Sequence, residues 1–143
     1  MIRRTISLLQ KDAGGILVQS LSPPFRSGTI ATGGAKLLQN VIAELMTIRG
    51  SVRFHPTFGC DLLRHIGVTN ITSLSEAGHL IHLAVSDVQD NIRRRVTETE
   101  TPEETLDKIT VEQLRQEQDR IIFTLQVHSR AGEVVPHNLA LTF

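Results

Sequence analysis

The sequence predicts an α+β fold: an extended N-terminal arm, two main helices with a short helix between them, and a C-terminal three-stranded antiparallel meander. Three observations predict it. Apolar residues recur at helical spacing between Ala35 and Val96, the period changes to two from Ile109 onward, and the first thirty-odd residues follow neither period.

The arm spans residues 1–34. Ile16-Leu-Val is a candidate short strand, and Ser22-Pro-Pro-Phe-Arg-Ser-Gly breaks it, because proline fixes φ and removes a backbone donor. A segment this long with so few periodic apolar positions is expected to pack on a partner. Residues 35–143 form a single domain.

The first helix is expected from Ala35 to Thr47, with Leu38, Val41, Ile42, Leu45 and Met46 on one face and Gly50 as its stop. A loop follows through Gly59, in which Pro56 pushes His55 toward extended geometry. Asp61 to Ile66 is a short helix ended by Gly67. The second main helix is capped by Ser73 or Ser75, with Glu76 three residues after Ser73 as in a capping box. It runs to Val96 and turns Ala77, Ile81, Ala84, Val85, Val88, Ile92 and Val96 inward. Leu80 and Leu83 fall off that face; they are surface leucines or a second contact stripe for a partner.

An acidic linker, Thr97 to Glu104, precedes the alternating segments. Ile109 and Val111, then Ile121, Phe123, Leu125 and Val127, then Leu139, Leu141 and Phe143 alternate with polar or small residues. Gln116–Asp119 and Arg130–Glu133 are the expected turns. The third strand, Asn138 to Phe143, lies at an edge of the meander. Leu139, Ala140, Leu141, Thr142 and Phe143 carry no charge, and Pro136 guards only the start, so this strand is a candidate partner-binding edge; the alternative is that the N-terminal segment around Ile16 to Leu21 covers it.

Composition narrows the function classes. With 143 residues, 40% apolar and 21% charged, the chain is ordinary globular material. No apolar run approaches the ~18 residues of a membrane span, and no secretory leader is recognisable. A net charge of zero, one dense basic cluster (Arg93-Arg94-Arg95) and no Trp or Tyr argue against nucleic acid as a partner. The neutral total hides an asymmetry: residues 1–54 hold seven Lys/Arg against two Asp/Glu, and residues 98–119 hold eight Asp/Glu against two Lys/Arg. Opposite ends of this kind can attract within one chain or between neighbours.

No site chemistry emerges. The glycine pairs lack the spacing of a phosphate-binding loop. Cys60, His65, His79 and His82 have loose spacing for zinc and read as surface or structural residues. Glu44, Asp61 and Glu76 are candidate carboxyls for glycoside cleavage, but no Trp or Tyr is present to form a sugar platform. We expect no catalytic residue, no metal, no cofactor and no small-molecule substrate.

One stretch is distinctive: Leu45-x-Thr47-x-x-Gly50, then Pro56-x-Phe58-Gly59-x-Asp61-Leu62. It resembles the signature of the baseplate assembly protein W family, the lysozyme-like wedge proteins and sheath initiators of contractile phage tails, with relatives in type VI secretion baseplates. The family's apolar helix ends in Leu-x-Thr and a glycine, and Pro-x-Phe-Gly closes nine residues after that glycine, the spacing of Gly50 to Gly59. Members often carry Glu-Arg after the first glycine, where Ser51-Val52 stand, and Glu-Pro-Arg before the sheet, where Glu100-Thr-Pro102-Glu103 stands. The resemblance implies a non-enzymatic tail baseplate component of the virion, assembled in the host cytoplasm. Its partners would be other wedge proteins and the tail sheath protein and, beyond these, tube or hub proteins. A tail peptidoglycan hydrolase and a type VI baseplate subunit are the alternatives. The loop is expected to be structural, with Phe58 anchoring it in the core.

Overall fold

The computed structural model describes residues 5–6, 9–11, 17–19, 30–68, 73–96 and 100–142. Four short strands come first: β1 (Thr5–Ile6), β2 (Leu9–Lys11), β3 (Leu17–Gln19) and β4 (Ile30–Ala31). They pair locally and antiparallel, β1 with β4 and β2 with β3. The expected strand around Ile16 is thus β3, although Ile16 itself, like Ser22 to Gly28, lies outside the described residues.

Three helices follow: α1 (Gly33–Leu45), α2 (Leu62–Val68) and α3 (Leu74–Arg94). Helix α1 has no side-chain cap of its own at Thr32. Its first turn is instead held by Glu104, far along the sequence. One carboxylate oxygen accepts from the Gly33 N–H at 3.4 Å and the other pairs with Lys36 Nζ at 2.7 Å. A carboxylate at a helix N-terminus meets free N–H groups and the positive end of the dipole. Helix α3 begins as expected, with the Ser73 hydroxyl accepting from the Glu76 N–H at 3.1 Å.

The sheet consists of β5 (Leu106–Glu117), β6 (Arg120–Ser129) and β7 (Val134–Thr142), in the order β5-β6-β7 and antiparallel throughout. The α+β architecture with a C-terminal meander is therefore as predicted. One face of the sheet packs on α1 and α3. Phe123, Leu125 and Val127 of the central strand are fully buried there with Leu37, Leu38, Val41, Leu45, Ile81 and Val88 of the two helices. Gly34 of α1 and Gly78 of α3 bring backbone close to β7 and β5. A Cβ at Gly34 would meet Val135 at 2.7 Å, and one at Gly78 would meet Leu114 at 2.7 Å. Among the described residues, no helix is long and apolar enough to cross a membrane.

The third strand differs from expectation at its start. β7 begins at Val134, so Pro136 stands inside the strand, in register with Gln126, rather than ahead of it. Proline is tolerated there because β7 is an edge strand. Leu141 is buried and Leu139 packs partly against the core, while Ala140 and Thr142 are exposed; Phe143 lies outside the described residues. At the opposite edge, two backbone groups near the start of β5 are met from α3. Gln89 of α3 accepts from the Ile109 N–H at 2.9 Å, and the Arg93 guanidinium donates to the Asp107 carbonyl.

Candidate functional site

The residues singled out between Leu45 and Leu62 form one tied loop. Helix α1 ends at Leu45, which is buried, and Met46 caps it with a backbone bond to Ile42. The chain leaves past Thr47 and returns beside itself: the Cys60 N–H donates to the Thr47 carbonyl at 3.0 Å and the Arg49 N–H to the Cys60 carbonyl at 3.1 Å. This parallel bridge closes the loop's neck. Within it, the Ser51, His55 and Phe58 N–H groups bond to the Ile48, Val52 and His55 carbonyls. Successive tight turns make the loop compact.

Two glycines have backbone reasons to be glycine. Gly50 has φ +84° in open space. Gly59 has φ +99°, and a Cβ there would lie 2.5 Å from the Thr47 carbonyl oxygen. The first needs only the left-handed conformation; the second also needs the missing side chain.

A buried carboxylate underlies the loop. Glu44 is on the core side of α1 and fully buried. Its Oε1 accepts from the Gly59 N–H at 3.4 Å, and its Oε2 is paired with the Arg95 guanidinium, at the C-cap of α3. A buried carboxylate is tolerable only with such partners. The same guanidinium lies over the Phe58 ring, 5.0 Å from its centroid, in cation–π contact. Asn91 of α3 donates to the Gly59 carbonyl at 3.2 Å and the Thr57 carbonyl at 3.4 Å. Phe58 is therefore half-buried beneath Arg95 rather than a core anchor. From this stretch it is Cys60 and Leu62 that enter the core.

Outside the neck lies an exposed charge network. Arg49 contacts Asp61 at 3.9 Å and Asp87 at 3.4 Å, and Arg64 contacts Asp61 at 3.4 Å. Arg64 also donates to the Arg49 carbonyl at 3.1 Å. Asp61 Oδ1 accepts no hydrogen bond among the described residues, so the Arg64 contact there is coulombic only. At this exposure each pair contributes little alone. Pro56 is exposed at the loop's outer side, and Thr47 lends its carbonyl to the neck.

The three carboxyls considered for glycoside cleavage each have their own surroundings. Glu44 is occupied by Arg95, Asp61 by Arg49 and Arg64, and Glu76 stands in the first turn of α3. Of the residues weighed for zinc, Cys60 is buried and donates its thiol to the Leu45 carbonyl at 3.2 Å, while His65, His79 and His82 are exposed. Among the described residues, no group of three or more His, Cys, Asp or Glu is arranged to hold a metal. Burial is the main reason the Cys60 thiol is pushed up from its ordinary value, reinforced by Asp87 and Asp61 and opposed by the Leu62 backbone and Arg49.

Sequence reasoning missed Arg95 and Asn91 as loop-holding residues. Glu44 offered the signal: a charge beside Leu45 on the edge of an apolar stripe must find a partner, and the arginine cluster ending α3 can supply one.

Family models give no match to this sequence, and neither do curated proteins. Among solved structures, the fold is similar to the crystal structure of a "putative tail lysozyme" from Geobacter sulfurreducens. The likeness has a TM-score of 0.52 at 13% sequence identity and covers 82% of this chain and 96% of that one. It is a likeness of fold.

Proposed function

We propose that this chain is a non-enzymatic structural component of a contractile phage tail baseplate. It joins the wedge to the first ring of sheath and seeds sheath assembly. The observation that carries this reading is a coincidence. The fold is similar, over most of its length, to that of a protein described as a putative tail lysozyme, and the residues that resemble the wedge-protein signature lie together in one tied loop and the helix ends it joins. Each of Leu45, Gly50, Gly59 and Leu62 has a packing or backbone role, as expected of a signature that shapes a surface. The partners would be other wedge proteins, the tail sheath protein, and tube or hub proteins. The location would be the tail baseplate of the virion, after assembly in the host cytoplasm.

A hydrolase reading is favoured by one observation, the description of the structural neighbour as a lysozyme. The pairing of Glu44 with Arg95 and of Asp61 with two arginines supports the structural reading instead, since glycoside cleavage needs one carboxyl with a raised pKa beside a free one. A type VI baseplate subunit remains the nearest relative of the leading reading.

Deleting the gene from a producing phage tests the proposal. Tails are expected to lack sheath by electron microscopy, and a plasmid copy carrying Asp61→Asn or Glu76→Gln is expected to restore them. Sheathed tails formed without the chain would overturn the reading. So would turnover of purified peptidoglycan by the wild type that either substitution abolishes.

A further inference from the structure

The fully buried residues of α3 are Ala77, Gly78, Ile81, Ala84, Val85 and Val88. From Gln89 to Arg94 no residue is fully buried, and Ile92, the one apolar residue of this stretch, packs only partly against the core. Apolar burial thus ends before the helix does, and polar side chains hold its last turns.

These polar ties fall into two pairs. Gln89 and Arg93, four residues apart, hold the start of β5: the Gln89 side-chain oxygen accepts from the Ile109 N–H at 2.9 Å, and the Arg93 guanidinium donates to the Asp107 carbonyl. Asn91 and Arg95, also four apart, hold the loop. Asn91 donates to the Thr57 and Gly59 carbonyls, while Arg95 lies over the Phe58 ring and pairs with Glu44, whose other oxygen accepts from the Gly59 N–H. Residues four apart share a helix face, and an offset of two residues is about 200° around the axis. The end of α3 therefore reaches the loop from one side and the sheet edge from the other.

We propose that this end of α3 is a two-sided latch: when its last turns fray, the loop and the start of β5 come free together, while the core and the central strand stay folded. A partner that draws the Arg95 guanidinium away from Glu44 at the loop thereby bares the Ile109 N–H and the Asp107 carbonyl at the β5 edge. A donor and an acceptor bared on an edge strand are what an added strand needs. The coupling is reciprocal, so a strand seated at the start of β5 also loosens the loop. This inference is independent of the baseplate reading.

Native-state hydrogen exchange of the purified chain, resolved by NMR, tests the latch, because the Gly59 and Ile109 amides are each held by a side-chain acceptor and report its two sides. In wild type both are expected to exchange through one shared opening, of lower free energy than the opening that exposes the amides of β6. Asn91→Ala cuts ties to the loop alone, yet should speed exchange at Gly59 and at Ile109 by the same factor, about tenfold for two lost hydrogen bonds. Gln89→Ala removes the acceptor of the Ile109 N–H, and Gly59 should speed up with it. The Gly132 amide, bonded to the Ser129 carbonyl in the β6–β7 turn, should keep its wild-type rate in both variants. Neither substitution removes a fully buried residue, so the fold is expected to persist. An Asn91→Ala protein in which Gly59 speeds up and Ile109 does not would overturn the proposal, since the two sides would then open separately. Exchange of both amides only together with β6 in wild type would overturn it equally, since the latch would have no opening of its own.

Discussion

Arg95, at the end of α3, neutralises Glu44, a fully buried carboxylate of α1 fifty-one positions earlier, and the same guanidinium lies over the ring of Phe58 in the loop between Thr47 and Cys60. The pair couples three things that the sequence keeps apart: the end of one helix, the end of another, and the glycine that closes the loop. Its energetics should be asymmetric. Removing Arg95 leaves a carboxylate in the core with only the Gly59 N–H, whereas removing Glu44 frees an arginine that already has access to water.

Arg95→Met is therefore expected to cost about 2–4 kcal/mol of unfolding free energy, with part of the full cost of breaking a buried pair relieved because the guanidinium is half-exposed. Glu44→Gln should cost less, about 1–2 kcal/mol, since the amide keeps a hydrogen bond and carries no charge. The double variant should be clearly less damaged than the sum. Urea unfolding of all four proteins measures that coupling, and simple additivity would show that the pair does not interact.

The two positive-φ glycines of the loop separate strain from space. Gly50→Ala is expected to cost about 1 kcal/mol, because only backbone strain is added. Gly59→Ala adds a clash with the Thr47 carbonyl and should cost about 2–5 kcal/mol. Equal thermal shifts for the two variants would mean that the neck relaxes freely.

What the sequence made legible was local. The Ser73–Glu76 cap, the apolar faces of α1 and α3, and the alternation through β6 are each written within a few neighbouring residues. The extent of β5 was less legible. Its register shifts between Glu112 and Arg115, with Gln113 at φ +52°, so the alternation that identifies a strand is interrupted and only Ile109 and Val111 stood out. The first hairpin turn is a two-residue one at Gln118-Asp119, with Gln118 at φ +54°. Glutamine is not a residue that advertises that conformation. The cap of α1 by Glu104 and the Glu44–Arg95 pair depend on residues far apart in the chain, and no local period encodes them. The position of Phe58 is not legible either, because apolar character alone does not distinguish packing under an arginine from packing in the interior.

Cys60 should make stability fall at alkaline pH. Its thiol is 1% exposed, and burial raises its pKa in the folded chain above the ordinary value of 9.0. Well below that value the thiol is protonated in both states and adds no pH dependence. Above it, the unfolded chain releases a proton that the folded chain keeps, so stability declines with rising pH until the folded pKa is passed. Comparing wild type with Cys60→Ala by urea unfolding across this range isolates the effect, and the absence of tyrosine removes one competing titration. Parallel pH profiles for the two proteins would contradict it. Native Cys60 should also react slowly with thiol reagents at pH 8 and rapidly once the chain is unfolded.

The outer edge of β7, which pairs with no strand among the described residues, can be tested without damaging the fold, and Pro136 shows where. The β6–β7 ladder runs unbroken from Val134 to Thr142 with Pro136 in register. A proline nitrogen has no hydrogen, so it must face away from β6. The Ser129 N–H bond to the Glu133 carbonyl at 2.9 Å sets the same alternation. Asn138, Ala140 and Thr142 therefore also turn their N–H groups outward. Those donors form a template on which another strand can add, and in the proposed function the added strand belongs to the sheath. Ala140→Pro removes one outward donor and leaves the ladder intact. Deleting Leu139 to Phe143 is a poorer test, because it also takes buried Leu141 out of the core. The Ala140→Pro protein is expected to melt within a few degrees of wild type and to enter baseplates, while sheath fails to polymerise on them. Normal sheathed tails carrying Ala140→Pro would show that β7 is not the seeding edge.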